Sequence, residues 1–316
     1  MQIHPWRAAL RIGLIACLTL AGLSASAEEP VLKPIRVAPD VYAVIGDLGM
    51  QTYENAGLNN NLGFVVGTDG VLVINSGPST RVARALHEAI RKITPQPVKF
   101  VVNVNSQSHY WLGNGYFRQL GIPILAHSAS NHLMQQMGAA QLQSARALLK
   151  DKADDTALAY PTETFDASRT LRLGKTRIEL LHFGGAHTAG DLALWLPEQK
   201  ILFAGDLVFT QRMLAVIPAG NSGGWIKAFD QAMALKPVTI VPGHGKPTDV
   251  KTATRDTRDY LALLRGGARA VLARNGSLQD AVEKVDQSKF KYLQNFELLA
   301  KRNMNQVFTE MEQESF

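Results

Sequence analysis

Three short apolar segments of this chain each run into a glycine that stands beside a histidine or an aspartate. These glycine-flanked segments are 184–191 (GGAHTAGD), 203–207 (FAGDL) and 241–245 (VPGHG). The apolar stretch before each one has the length and composition of a buried strand. Glycine lets the backbone turn sharply and leaves room for another group to approach closely. The pattern therefore predicts three strands that each end at a functional residue.

The functional side chains at these points are His187, Asp206 and His244. Imidazole nitrogens and carboxylate oxygens are ligands that zinc and similar metals use in proteins. Each of these residues alone would be typical of an ordinary loop. All three in this order, each after a strand, predict a metal site.

The apolar pattern alternates between strands and helices over most of the chain and becomes purely helical near the C-terminus. Strands are expected at 41–46, 62–67, 71–74, 98–103, 121–126, 171–173, 177–183, 192–196, 201–204 and 238–241. Helices are expected at 79–93, 128–150, 228–235, 251–273, 277–285 and 288–312. We therefore predict an α/β body over residues 28–250 and a C-terminal helical extension over residues 251–316.

The N-terminus has the pattern of an export signal. Two arginines precede an apolar run at 12–23, which is too short for a stable transmembrane helix. Small residues at 25–27 predict cleavage by a signal peptidase after Ala27. We expect a periplasmic or secreted protein without stable membrane insertion after cleavage. Lipidation at Cys17 and an uncleaved anchor are the alternatives.

Composition narrows the classes of function. Cys17 is the single cysteine, which excludes an intramolecular disulfide framework and a cysteine-based zinc finger. The net charge is +6, but the basic residues are scattered, so no nucleic-acid partner is expected. The expected partner is a small-molecule substrate, and the sequence leaves the oligomeric state open.

From about Val41 to Pro247 the chain resembles the metallo-β-lactamase superfamily. The segments that carry the resemblance are 63–66 (GFVV), 71–77 (VLVINSG), 184–191, 202–209 (LFAGDLVF) and 241–245. The resemblance implies an αββα sandwich, in which two mixed sheets pack face to face between helices and a metal site lies in a groove at one edge. Within the superfamily, the chain looks closest to the exported quinoprotein-relay zinc metallohydrolases.

The motif that defines this superfamily is altered here. The family has H-x-H-x-D-H after a strand, followed by L-G-N or G-G-N. In this chain Asn105 and Gln107 stand at the first two histidines, His109 at the aspartate and Tyr110 at the last histidine. Asn75 likewise replaces the aspartate of the family's I-D-T-G or I-D-S-G.

The resemblance implies two metal positions, and the altered motif affects them differently. The first would use both motif histidines and the residue matched by His187. Amide oxygens at Asn105 and Gln107 are poor zinc ligands, so we do not expect this position to be filled.

The second metal position keeps the residues matched by Asp206 and His244, and His109 stands in place of the motif aspartate. We therefore predict one metal ion on these three residues, with His187 as a further candidate ligand. Two histidines and a carboxylate with an open position suit a catalytic zinc and also iron(II). In another arrangement, Tyr110 binds the metal as a phenolate.

A metal at this position predicts a hydrolase that acts on an ester, thioester or amide through activated water. Tyr110 is a candidate donor to the developing oxyanion. Asp206 or His187 would handle the water proton, since the motif aspartate is absent.

Two other functions remain open. In the first, the site is vestigial: Asn105 and Gln107 are amide partners of a hydrogen-bonded cluster, and the groove binds a ligand without catalysis. The loss of carboxylates at positions 75 and 109 favours a vestigial site, because less negative charge remains there to attract a metal cation. The other function is an iron-dependent oxidoreductase. Hydrolysis of β-lactams is not expected, because the zinc-rich site is missing.

The remaining histidines are expected to be structural. His182 is expected in the core or behind the ligands, and His87, His127 and His132 are expected to be ordinary surface or capping residues. Arg212 and Met213 are candidates for a wall of the groove.

Overall fold

The computed structural model describes residues 1–2 and 30–314. The predicted export signal and its cleavage point lie outside the described residues. Among residues 30–314, none of the helices combines the length and the hydropathy that a bilayer span requires.

The first sheet contains seven strands arranged in chain order. They are β1 (Ile35–Ala38), β2 (Val41–Val44), β3 (Leu62–Val66), β4 (Val71–Ile74), β5 (Val98–Asn103), β6 (Ile124–His127) and β7 (Glu163–Phe165). Neighbours from β1 to β4 are antiparallel, and neighbours from β4 to β7 are parallel. The sheet is therefore mixed.

The second sheet contains five strands in the order β12-β11-β10-β9-β8. They are β8 (Arg169–Leu173), β9 (Thr176–Leu181), β10 (Ala193–Leu196), β11 (Ile201–Phe209) and β12 (Thr239–His244). All neighbours are antiparallel except β11 and β12, which are parallel. Parallel pairing brings the carboxyl ends of these two strands to the same edge.

Helices cover the outer faces of both sheets. They are α1 (Thr80–Ile93), α2 (Ser108–Trp111), α3 (Asn114–Gln119), α4 (Ser128–Leu149), α5 (Ser222–Ala234), α6 (Val250–Ala253), α7 (Asp259–Leu272), α8 (Leu278–Lys284) and α9 (Phe296–Gln313). A π-helical turn, Thr254–Arg258, joins α6 to α7.

Because of strand periodicity, one continuous apolar strand contributes side chains to two hydrophobic cores. Successive side chains of a strand point to opposite faces. In β4, Leu72 and Ile74 belong to the core between the sheets, and Val71 and Val73 belong to the core under α1. The side chains of β10 alternate in the same way between the core between the sheets and the core under the helices that cover the second sheet. The result is the αββα sandwich that was expected.

The C-terminal helices share one apolar core with the second sheet. Trp195 and Leu202 from the sheet pack in the same cluster as Tyr260 and Leu264 of α7 and Met304 of α9. The extension is thus the outer layer of this side of the sandwich. A domain boundary after residue 250 stays a prediction.

Of the strand ends that differ from expectation, two carry ligand-type residues of the site. The strands were expected to end at 204 and 241, but β11 continues to Phe209 and β12 to His244. Asp206 therefore lies inside a strand rather than in a following loop. Gly205 has a left-handed φ of 52°, and the β11–β12 register shifts on both sides of it. The glycine makes an irregularity within the strand rather than a turn that ends it.

Burial predicts a large cost for shortening a side chain between the sheets. Leu194 is fully buried there, whereas Leu120 is 50% exposed. We expect Leu194→Ala to lower the free energy of unfolding by about 2–5 kcal/mol, because it loses apolar burial and leaves a cavity. Urea denaturation would measure this, with Leu120→Ala as the control. Equal small losses in both variants would contradict this account of the core.

Candidate functional site

The structure brings His109, Asp206 and His244 together at one edge of the sandwich. His109 lies on α2, just after the end of β5, while Asp206 and His244 lie on the parallel strands β11 and β12. One possible ligand atom from each residue lies within 4.8 Å of the other two, and all three residues are buried. Residues almost 140 positions apart in the sequence thus form one cluster.

Gly243 allows the close approach of β12 to Asp206. A Cβ atom at this position would overlap Asp206 Oδ1, the Tyr110 hydroxyl and the backbone of Gly205. Any residue other than glycine would therefore push the two strands apart. This explains the first glycine of the PGHG segment.

The tautomer of His244 follows from its backbone partner. Its Nδ1 lies 2.5 Å from the carbonyl oxygen of Asn59, which can only accept a hydrogen bond. Nδ1 also lies 3.1 Å from Arg212 Nη1, but the shorter contact with the carbonyl places a hydrogen on Nδ1, so in the neutral ring Nε2 presents a lone pair. Nε2 lies 3.4 Å from Asp206 Oδ1, so its lone pair faces the carboxylate. Two acceptors that face each other at this distance repel unless a proton or another cation lies between them.

Asp206 is almost completely buried, with 1% of its surface exposed. The Tyr110 hydroxyl donates a hydrogen bond to Oδ1, and Oδ2 has no hydrogen-bond partner among the described residues. Burial alone would raise the pKa of Asp206, but His244 and His187 become cationic as the pH falls and thereby hold that pKa below its usual range. The carboxylate is thus ionised and incompletely satisfied.

His109 is a neutral imidazole with a free ring nitrogen. Its Nε2 is buried and has no hydrogen-bond partner among the described residues. Burial, followed by the proximity of His244, lowers the pKa of His109 to about 3. Burial also lowers the pKa values of His187 and His244. All three rings are therefore neutral near pH 7.

The residues at the first metal position are engaged with other groups. His187 Nε2 lies 2.9 Å from Gln107 Oε1 and 3.6 Å from Asp206 Oδ2. Asn105 Nδ2 donates to Asp191 Oδ1, and Asn105 Oδ1 accepts a hydrogen bond from the backbone N–H of Gln107. This set has one imidazole and two engaged amides, so it does not fit a zinc ion. Gln107 is a hydrogen-bond partner of His187, whereas Asn105 contacts Asp191.

The second metal position does fit a divalent ion. It offers one ionised carboxylate and two neutral imidazoles, and His109 Nε2 and Asp206 Oδ2 are buried without partners among the described residues. This donor set is typical of zinc and of iron(II). A family-type pair of metals is not supported, because the first position lacks ligands.

Two parts of the site were missed in the sequence. Asp191, the last residue of the GGAHTAGD segment, is buried and accepts hydrogen bonds from Thr188 and Asn105. Burial raises the pKa of Asp191 to about 7. The segment contained this residue, but nothing local indicated that Asn105 would contact it.

The other missed part is the Asn59-Asn60-Asn61 run before β3. The carbonyl of Asn59 orients His244, and the Asn61 side-chain amide donates to the carbonyls of Pro242 and Gly245 at 2.8 and 2.6 Å. These two carbonyls flank Gly243 and His244. Three consecutive asparagines were a visible signal, but their partners lie about 180 residues away.

A cleft of about 470 Å³ opens beside the cluster. His109, His187 and His244 line it, together with Arg212 and Gln107. Tyr110 and Asp206 do not line it, since both are buried behind these rings. Arg212 thus forms part of the groove wall as expected, but Met213 is buried in the core under the helices.

The other histidines within residues 30–314 lie away from the cleft. His182 Nδ1 lies 2.9 Å from the Asp191 carbonyl, and its ring stacks on His127 at 3.9 Å. His127 also caps α4 by accepting from the Ala129 amide. His132 is exposed on α4, and His87 on α1 contacts the Tyr116 hydroxyl.

The sequence profile of the metallo-beta-lactamase superfamily matches residues 56–244, which include the whole cluster. The chain belongs to this superfamily. A metallo-beta-lactamase type 2 from Bacteroides fragilis is 22% identical over 226 residues, which are 67% of this chain and 82% of the relative. One from Elizabethkingia meningoseptica is 21% identical over 260 residues, which are 80% of this chain and 94% of the relative.

Solved structures show the same fold. A metallo-beta-lactamase from Pontibacter korlensis superposes with a TM-score of 0.61 at 22% identity, covering 73% of this chain and 99% of that one. An inverting sec-alkylsulfatase from Pseudomonas sp. gives a TM-score of 0.67 at 17% identity, covering 88% of this chain and 50% of that one. At sequence identities of 22% and 17%, these superpositions show that the fold is shared and nothing more. The family assignment makes this chain a metallo-β-lactamase-fold protein of a hydrolase family.

The lowered pKa of His109 predicts acid sensitivity of the metal-free protein. Between pH 7.5 and 5.5 the unfolded chain gains a proton at this residue, since an unperturbed histidine has a pKa of about 6.5, while the folded protein does not. Stability is therefore lost as pH falls. We expect His109→Gln to reduce the loss over this interval by about 1.4 kcal/mol.

Urea denaturation of metal-free protein at both pH values would measure this difference. His132→Gln, on the exposed side of α4, is the matched control and should keep the full acid-induced loss. An unchanged loss in His109→Gln would show that His109 is already protonated in the folded state.

The contacts of Asn61 predict that it stabilises the end of β12. Asn61→Ala would leave the buried carbonyls of Pro242 and Gly245 without their donor, at a cost of about 2–4 kcal/mol. Asn61→Asp should cost at least as much, because a carboxylate would face two carbonyls. Denaturant unfolding would measure both variants, with exposed Asn305→Ala as the control. Losses within 0.5 kcal/mol of the control, about the usual scatter for surface changes, would contradict this role.

Proposed function

We propose that this protein is an exported hydrolase that holds one zinc ion on His109, Asp206 and His244 and cleaves an ester, thioester or amide. Membership of a metallo-β-lactamase-fold hydrolase family supports the class of reaction. Export rests on the N-terminal sequence pattern. The single metal ion and the substrate class rest on the geometry of the cluster and its cleft.

The observation that carries the proposal is the convergence of unsatisfied acceptors. The Asn59 carbonyl turns the lone pair of His244 toward Asp206. His109 Nε2 and Asp206 Oδ2 have no partners among the described residues. Two buried polar atoms without partners, beside a lone pair that faces a carboxylate, are costly, and a bound cation removes that cost.

A zinc ion held there would lower the pKa of a bound water toward neutrality and so supply hydroxide at the cleft. The chain's own groups prepare the site. Tyr110 holds Asp206 through its hydroxyl, and Asn59 holds His244 in one tautomer. His187 lines the cleft, and its Nε2 donates to Gln107 Oε1, so Nδ1, which has no hydrogen-bond partner among the described residues, is the ring atom left to take a proton from attacking water.

One observation favours a second candidate function, a metal-free binding protein. Arg212 Nη1 lies 3.1 Å from His244 Nδ1, so a positive charge already stands beside the cluster. This charge opposes the binding of a second cation. Iron(II) on the same three residues would instead indicate an oxidoreductase.

Metal content separates these functions. The chain from residue 28, purified without a histidine tag, should contain about one equivalent of zinc by elemental mass spectrometry, as expected for three protein ligands with an open position. Asp206→Ala and His244→Ala should lose it, and exposed Asp154→Ala should retain it.

Three other outcomes would overturn the proposal. Protein that stays metal-free after incubation with excess zinc would support the binding function. Iron at full occupancy would support the oxidoreductase. Zinc that survives both ligand substitutions would place the metal elsewhere. If zinc binds as expected, a screen of 4-nitrophenyl esters and thioesters follows.

A further inference from the structure

Within residues 30–314, the last part of β11 has a strand partner on one side only. β10 pairs with β11 at residues 201–203, whereas Phe209, further along the strand, lies opposite His244 of β12. Phe209 is buried, so its backbone N–H and C=O groups need partners other than bulk water. Those partners come from outside both sheets.

One side chain of the C-terminal extension satisfies both of these backbone groups. The Thr257 hydroxyl accepts a hydrogen bond from the Phe209 N–H at 2.9 Å and donates one to the Phe209 carbonyl at 2.7 Å. Thr257 is itself fully buried. A hydroxyl that both donates and accepts thus takes the place of the missing strand at this point.

Thr257 lies in the π-helical turn, Thr254–Arg258, and single turns of this kind frequently occur at functional sites. The preceding residue, Asp256, is also buried and accepts a hydrogen bond from the backbone N–H of Gln211 at 3.1 Å. Gln211 has a left-handed φ of 62°, which makes this bond a constraint on a bend in the chain. Two consecutive side chains of the turn therefore hold the backbone on both sides of Thr210.

The ring of Phe209 connects this turn to the metal cluster. It stacks on the imidazole of His244, with the ring centres 4.7 Å apart and the planes 19° from parallel. The same ring lies 5.8 Å from the ring of His187 and forms part of the cleft wall. A stacked neighbour limits the rotation of an aromatic ring, so the position of Phe209 limits the direction in which His244 points.

We propose that Thr257 is a positioning residue, and that it acts through Phe209 to hold the ring of His244 in the metal cluster. The superfamily match ends at His244, so the C-terminal extension contributes this residue from beyond the matched region. A role of Thr257 in zinc binding rests on the proposed function, but its role in the orientation of His244 does not.

The tautomer of His244 in the metal-free protein tests the inference without zinc. Two-bond proton–nitrogen spectra distinguish the histidine tautomers, and His244→Gln identifies the signal of this residue. The unmodified protein should show a single tautomer with the hydrogen on Nδ1. Thr257→Val removes the hydroxyl but keeps the shape of the side chain, and it should give a second tautomer because the ring gains freedom to rotate. Thr257→Ser keeps the hydroxyl and should retain the single tautomer.

Tyr260→Phe is the matched control, because it removes another buried hydroxyl from the same helical layer. This hydroxyl contacts Gln287 and Asn303 rather than β11. Both Thr257→Val and Tyr260→Phe should lower the midpoint of urea denaturation, but Tyr260→Phe should keep the single tautomer of His244. A second tautomer in both variants, or in neither, would overturn the inference.

Phe209→Leu tests the contact that connects the turn to the cluster, and it replaces Thr257→Val if that variant does not fold. It removes the stacked ring but leaves the backbone groups that Thr257 holds. A second tautomer of His244 is expected. A single tautomer would show that stacking does not set the orientation of this ring, which would also overturn the inference.

Zinc affinity then separates this inference from the proposed function. Competition with a chromophoric chelator should show that Thr257→Val raises Kd by roughly fivefold, less than the roughly ten- to hundredfold loss that follows removal of a direct partner of a metal ligand, because one residue intervenes. Tyr260→Phe should leave Kd unchanged. An unchanged Kd in Thr257→Val would overturn the role of this residue in holding the metal. If the unmodified protein binds no zinc while the tautomers change as expected, the proposed function is wrong and the positioning of His244 by Thr257 stands.

Discussion

The close parallel approach of β11 and β12 is the constraint on which the site depends. Asp206 and His244 stand on neighbouring strands, and they meet because Gly243 leaves space that any Cβ would fill. The left-handed turn at Gly205 lets β11 continue past a register shift, so Asp206 is held by strand backbone on both sides. His109 then reaches the same point from the other sheet. A carboxylate placed in this way has little freedom to move away from its neighbours.

The charge balance around Asp206 is unusual for a superfamily that binds metals. The cluster has one carboxylate and two neutral imidazoles, and the neutral ring of His187 and the guanidinium of Arg212 lie beside it. The altered motif removed two carboxylates and left amides that bind protein groups instead of a metal. The carboxylate of Asp206 and the guanidinium of Arg212 already balance each other, so a bound zinc ion would leave the site positively charged.

Local pattern predicted most of the fold because it reports burial directly. The continuous apolar run of β4 and the helical spacing in α1 are consequences of burial on two faces and on one face, and both were visible in the residues. The strand ends at 204 and 241 were wrong because glycine indicates a turn in isolation. Here pairing with a neighbouring strand carried the backbone past the glycine. Short edge strands such as β1 and β7 were missed, since a few residues with partial burial leave little pattern.

The sequence by itself determined the family, the sandwich, the amide residues at the expected first metal position, and the identity of the three residues proposed as ligands. Those conclusions follow from residue type and order. Tertiary structure alone decided the tautomer of His244, the burial of Tyr110 behind the cluster, the pairing of Asn105 with Asp191 and the contact of Thr257 with Phe209. Each of these depends on a contact between distant segments. Such contacts are set by how two sheets and their loops pack, which no local pattern encodes.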